Sequence, residues 1–265
     1  MNTRTIYLLL LAALHLSSLA QNQEIAYSDL SPGFIASNPS GNDDTSPHIN
    51  TPNAICNRGV KKFTKSNYQG AIEDYDLALE LDPQNTIALF NRANAKRALQ
   101  DFKGAISDYN QVIELEPGDK VAYLHRGLTK LEMGQSKKAI KDFNAALQLD
   151  QQYIDAILFR GKARIQAYKF EDAIRDFKTV IQHDPENISA YHQMALAKMG
   201  MGNYVGAKKD LSVIIELDPK NAEAFYQRGV AFFDGGSRKK ACLDWEIAKK
   251  LGHPLAGLAI EKYGQ

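Results

Sequence analysis

A period of 34 residues runs without insertion from residue 52 to residue 253 of this 265-residue chain. At that spacing six alanines fall in one column: Ala71, Ala105, Ala139, Ala173, Ala207 and Ala241. Three positions later stand six aspartates, Asp74, Asp108, Asp142, Asp176, Asp210 and Asp244. The next column holds Tyr75, Tyr109, Phe143, Phe177, Leu211 and Trp245. Twelve residues before each alanine is a small residue: Gly59, Ala93, Gly127, Gly161, Ala195 and Gly229. An exact period of this length marks a stack of supersecondary units, since each copy must repeat the packing of the last.

Each unit carries two stretches with apolar residues at three- and four-residue steps, the spacing of amphipathic helices. In the fourth unit they run roughly over 156–168 and 170–183. A small residue on the first helix and an alanine on the second let the backbones approach, and the aromatic fills the space beside them. A bulkier side chain at that contact would overpack it, at a cost of roughly 1–3 kcal/mol. Asp82-Pro83, Glu116-Pro117, Asp184-Pro185 and Asp218-Pro219 end second helices, because proline removes a donor and disfavours helix before it. Thr51-Pro52 reads as an N-cap followed by proline at the first helical position. Gln151 and His253 replace the proline in the third and sixth units, and Leu211 replaces the aromatic in the fifth.

The small–Ala–aromatic–Pro set in this register resembles the tetratricopeptide repeat family over about 200 residues of the chain. The resemblance implies an all-α fold, a right-handed superhelical solenoid of six helix–turn–helix repeats at 52–85, 86–119, 120–153, 154–187, 188–221 and 222–253. Residues 254–265 are expected to form a capping helix over the last repeat. It also implies that the first helices line a concave groove. Within that stripe the residues expected to touch a partner are Asn57, Phe90, Asn91, Asn94, His125, Phe159, Lys162, His192, Gln193, Tyr226 and Gln227. Asn57 and Asn91 match the asparagine with which peptide-binding members hold ligand backbone. The lysine and arginine with which other members clamp a terminal carboxylate have no counterpart pair here: the second position of the repeats reads Asn53, Ile87, Val121, Asp155, Ser189 and Glu223.

A charge pattern is particular to this chain. Arg58, Arg92, Arg126, Arg160 and Arg228 precede the small residue, with Met194 in the fifth unit. Lys62, Lys96, Lys130, Arg164 and Lys198, with Phe232 in the sixth unit, stand four residues after the arginine column, on the same helix face. The complete aspartate column favours an internal ladder of ion pairs. A basic strip for an acidic partner is the alternative. Under the ladder reading the fifth unit, lacking its arginine, is a weaker joint.

Before the array the chain changes character. Arg4, the apolar run from Ile6 to Leu14, and Ser18-Leu19-Ala20 read as a signal peptide cleaved before Gln21, hence export to a periplasmic or extracellular space. Residues 21–51 are rich in Ser, Asn, Asp and Pro with no helical or strand periodicity, and are read as a disordered polar tail. The clusters around Tyr27 and Phe34 stand out in it. No later segment is apolar and long enough to span a membrane, so no membrane insertion is expected after cleavage. Export permits disulfides, yet Cys56 and Cys242 lie five repeats apart, too far to bridge. Exposure of Cys56, with a free thiol or an intermolecular pairing there, is left open, and Cys242 is read as a core residue in the column of Ile72, Ile106, Ile140 and Ile174.

Lys plus Arg is 32 against 31 for Asp plus Glu, so no general attraction to nucleic acid follows. The six histidines are scattered, no nucleophile elbow or phosphate loop occurs, and the unbroken period leaves no inserted loop to build a catalytic pocket. No catalytic residue, cofactor or metal is therefore expected. The chain reads as an exported, non-enzymatic scaffold that binds a protein or peptide in its groove. The alternative is a structural or regulatory subunit that packs on an enzyme or on itself.

Overall fold

The computed structural model describes residues 51–264; the expected leader and most of the polar tail lie outside the described residues. Thirteen α-helices and no strand occur among the described residues. They form six consecutive pairs: α1 Pro52–Thr64 with α2 Tyr68–Leu81, α3 Thr86–Ala98 with α4 Phe102–Leu115, and α5 Lys120–Glu132 with α6 Ser136–Leu149. Then come α7 Ile154–Gln166 with α8 Phe170–His183, α9 Ile188–Gly200 with α10 Tyr204–Leu217, and α11 Ala222–Asp234 with α12 Arg238–Lys250. A last helix, α13, spans Ala256–Tyr263. The chain divides into two compact units between Ala156 and Ile157. Within each, a helix packs on the one before and the one after it, as in a solenoid.

Local chemistry sets the helix starts. Asn67, Asn85, Asn187, Asn203 and Asn221, with Asp101 and Asp119, sit at N-caps and accept hydrogen bonds from first-turn backbone N–H groups. The turn between paired helices needs one residue in the left-handed region. Gly134, Gly202 and Gly236 supply it in three repeats, whereas Ser66, Gln100 and Tyr168 are held there at φ between 58° and 63°. The absent proline at Gln151 does not move a helix end. Asp150 turns extended (φ −145°), accepts from the Gln152 N–H at 3.0 Å, and pairs with Lys120 at 2.5 Å. In the sixth repeat Gly252, at φ +89°, turns the chain toward His253 and α13.

The core follows the columns. All six alanines are fully inaccessible, and Tyr75, Tyr109, Phe143, Phe177, Leu211 and Trp245 are buried beside them. The glycines of the small-residue column are explained by contact with the aromatic: a Cβ added at Gly229 would stand 2.5 Å from the Trp245 ring, and one at Gly161 would stand 2.6 Å from Phe177. Beyond Trp245, Ala256, Ala259, Ile260 and Tyr263 of α13 join the last apolar cluster.

The aspartates are buried too, and each takes cations from the first helix of its own pair. Asp142 receives Arg126 Nη2 at 2.8 Å and Lys130 at 2.6 Å; Asp108 receives Arg92 and Lys96, and Asp176 receives Arg160 and Arg164. The arginine also reaches back to the preceding pair: Arg92 to Asp76 at 2.6 Å, Arg126 to Asn110 at 2.8 Å and Arg228 to Ser212 at 3.0 Å. The ladder is thus internal and structural. Where Met194 replaces arginine, Asp210 pairs, among the described residues, only with Lys198, at 2.6 Å. The protonation balance differs accordingly. Burial pushes both Asp74 and Asp210 upward; at Asp74 the hydrogen bonds and charges of Arg58 and Lys62 outweigh it and leave the carboxyl low. At Asp210 burial prevails over Lys198 and Lys178, and the carboxyl is raised.

Both cysteines are free; the exposure left open for Cys56 does not occur, and Cys242 is less buried than a core residue. Cys56 is buried, because it faces the next pair: Asn91 Nδ2 donates to its Sγ at 3.9 Å, and burial pushes the thiol up to about 11. Cys242 is half-buried, as are Ile72, Ile106, Ile140 and Ile174 in its column.

Candidate functional site: the stripe on the first helices

The eleven residues expected to meet a partner come from α1, α3, α5, α7, α9 and α11. In residues 51–156, Asn57 is exposed, while Phe90, Asn91, Asn94 and His125 are buried. Asn94 Oδ1 accepts from the Tyr109 hydroxyl at 2.6 Å and lies 2.9 Å from His125 Nδ1. A carboxamide oxygen can only accept, so His125 carries its proton on Nδ1. Burial, then the Arg97 charge, lowers His125 to about 3, so its ring is neutral. Phe90 lies edge-on to both rings, with centroids 4.9 Å from His125 and 5.7 Å from Tyr109. Arg97, from the same helix, pairs with Glu132 of the next repeat at 2.5 Å. This part of the stripe is a packed polar cluster in which repeats two and three hold one another.

In residues 157–264 the stripe is more open. Lys162 Nζ lies 4.8 Å from the centroid of the buried Phe159 ring. Lys162, His192 and Gln193 are half-buried. Gln227 is buried and donates from Nε2 to Glu223 Oε1 at 2.7 Å, so its carbonyl oxygen points elsewhere. That oxygen, and Nε2 of His192, are buried with no hydrogen-bond partner among the described residues. Burial lowers His192; the nearby Glu223 opposes this and Lys162 adds to it. Tyr226 is stacked on His253 at 4.1 Å between centroids, and burial pushes its hydroxyl up to about 12.

Two residues of this site were missed in the sequence. His253 Nε2 meets Glu223 Oε2 at 2.9 Å, and its Nδ1 accepts from the Leu255 N–H at 3.3 Å. Burial pushes Glu223 up, but bonds from His253 and Gln227 and the charges of His192 and His253 hold it below the usual carboxylate range. Glu223 and Gln227 stand at i and i+4, which was a readable signal. His253 occupies the proline column, and nothing in its spacing points back to Glu223. Among the described residues no group of three or more His, Cys, Asp or Glu could hold a metal ion, and no helix is long and apolar enough to cross a membrane. Asn187 is the acceptor of a formal glycosylation motif with Ser189, yet its amide caps α9 and donates to Asp184 at 3.0 Å.

Tetratricopeptide repeat models match residues 58–120, 121–153 and 164–227, together more than half of the chain. The chain belongs to the tetratricopeptide repeat family. No curated protein matches it. Among solved structures, this tetratricopeptide repeat chain is similar to MamA, at 27% identity and a TM-score of 0.58, over 62% of this chain and 96% of that one. It is similar to YrrB, described as a TPR protein with an unusual peptide-binding site, at 22% identity and a TM-score of 0.60, over 71% and 97% of the two chains. A tetratricopeptide repeat protein from Parabacteroides merdae aligns at 19% identity and a TM-score of 0.60 over 95% and 94%. At these identities the last two show the fold alone. Proteins of the tetratricopeptide family are generally non-enzymatic scaffolds.

Proposed function

We propose that the chain is an exported, non-catalytic scaffold that holds an extended peptide or a segment of a partner protein along the first helices of residues 157–264. The observation that carries this reading is the pair of buried polar atoms without partners, His192 Nε2 and Gln227 Oε1, on adjacent first helices beside the half-buried Lys162. Buried polar groups are normally satisfied, and leaving one unpaired costs roughly 1–3 kcal/mol. Both atoms are covered in the free chain, so a peptide main chain meets them only where neighbouring side chains move aside on docking; it then offers an N–H for the Gln227 oxygen and a C=O for the neutral His192 ring carrying its proton on Nε2. Lys162 and Gln193 then stand at the rim to bond side chains. The peptide-binding site named for YrrB supports the same use of this fold. The leader expected at the N-terminus supports export.

Selection from a random peptide display library tests it. Peptides recovered on the wild-type chain are expected to lose binding to Gln193→Arg and His192→Ala and to keep it with Thr179→Arg, an exposed position on α8. Recovery of no peptide, or equal binding to all variants, would refute the site.

A further inference from the structure

The outer face of the last pair departs from every pair before it, in two columns. Where the earlier second helices carry Glu73, Ser107, Lys141, Arg175 and Lys209, α12 carries Leu243, which is 53% exposed. Where they carry Glu80, Glu114, Gln148, Gln182 and Glu216, α12 carries Lys250, also exposed. The helix buries Ala241, Asp244, Trp245 and Ala248. By helical spacing the opposite side presents Lys239, Leu243, Glu246, Ile247 and Lys250, with Lys240 at its edge. On α13, Ala256 and Ala259 face inward, and Leu258, on the side away from them, is 62% exposed. Polar residues would keep this end soluble at lower risk, so apolar side chains set among lysines here call for an occupant.

We infer that this face is a docking surface for an anionic lipid membrane, on which the protein sits peripherally. The charge selects the occupant. From Arg238 to Gly264 the exposed ionisable side chains are six cations against Glu246 and Glu261. A second copy of the chain docked through the same face would set like charges together. Head-to-tail stacking is left to the test, since Arg58 and Lys62 of α1 are held by Asp74 and α2 exposes Glu73, Asp76 and Glu80. The side-chain types separate a membrane from an acidic protein. Protein hot spots are built from Trp, Tyr and Arg in shaped pockets, and lysine is depleted from protein interfaces. Leucine and isoleucine among lysines need no shape match and suit a fluid interface with anionic headgroups. This inference is independent of the peptide site, which lies on first helices.

Co-sedimentation of the full-length chain with vesicles of phosphatidylcholine alone, or with 30% phosphatidylglycerol, provides the test. Binding is expected only to the anionic vesicles and is expected to weaken as salt rises. Each lysine contributes about fivefold near such a surface, so Lys239→Glu with Lys250→Glu is expected to reduce partitioning by at least about 25-fold. Leu243→Ser with Leu258→Ser is expected to reduce it roughly tenfold. Lys137→Glu with Lys141→Glu, an equal charge change at exposed sites on α6, should lose much less. Any of three results would overturn the inference: equal binding to both vesicle types, full binding by both face variants as a leader-driven interaction would give, or equal losses in the α6 control. Matched melting curves establish that the variants are folded. A face variant that dissolves a dimer in gel filtration without changing vesicle binding would assign the face to a second copy instead.

Discussion

Replacing Asp142 by Asn tests whether the buried ladder holds the array. The carboxylate is buried and accepts from Arg126 through Oδ1 at 2.8 Å and Oδ2 at 3.2 Å, with Lys130 at 2.6 Å. Asparagine keeps one acceptor, removes the charge, and turns an N–H₂ toward two cations. Breaking a buried pair costs about 3–5 kcal/mol. The lower end, about 3 kcal/mol, applies because the Arg126 and Lys130 side chains retain 17% and 16% exposure and can draw on water. For an array of this size each kcal/mol moves the melting midpoint by about 2–4 °C, so a fall of roughly 6–12 °C is expected. Asp210→Asn is the matched control. Its carboxylate has one lysine and no arginine, and burial already holds it unfavourably, so the change is expected to stay within about 1 kcal/mol. Thermal unfolding by circular dichroism and urea denaturation would both read the difference. Equal losses at the two positions, or none at Asp142, would refute the assignment of stability to the paired arginine.

The same contrast has a pH signature. Asp74 is held low, so its contribution is present above the unfolded carboxylate range near 4 and is lost as pH falls through its lower folded value. Asp210 is raised, so its penalty is present above its folded value and is relieved as pH falls through it. Urea titrations from pH 7 to pH 3 should therefore show the deficit of Asp74→Asn shrinking with acid; Asp210→Asn should be at least as stable as wild type at pH 7 and converge on it at low pH. Restoring the missing rung should also stabilise the fifth repeat. The arginine would reach back to position 178, where this chain carries Lys178, so Met194→Arg is paired with Lys178→Asn and is expected to add about 1–2 kcal/mol. Hydrogen exchange should slow in α9 and α10; unchanged protection there would count against the weak-joint reading.

Much of the fold was legible because one packing solution is written six times. A column of small residues opposite an aromatic can be read without coordinates, since Gly229 and Trp245 leave each other no alternative. The ladder was legible in outline from the complete aspartate column, but not the second reach of Arg92, Arg126 and Arg228 to the preceding pair, because residues 76, 110 and 212 are Asp, Asn and Ser and form no uniform column. The site was harder to read. Helical spacing places Phe90, Asn94 and His125 on the stripe, yet spacing carries no information on whether neighbouring repeats consume their polar atoms, as Tyr109 and His125 do with Asn94. The exposure of Cys56 was open for the same reason: its burial comes from the next repeat and not from its own helix. The Glu223–His253 contact joins residues 30 apart through a turn that departs from the repeat, where periodicity has nothing to say.

The most direct test of a partner held on the first helices is site-specific photo-crosslinking in the native source. A photoreactive residue is placed at Gln193 on α9 in one variant and at Thr179 on α8 in another, with the whole-cell and exported fractions separated afterwards. A discrete crosslinked protein from Gln193, absent from Thr179 and found in the exported fraction, is the predicted result. Equal crosslinking at both positions, or a product from Thr179 alone, would contradict it.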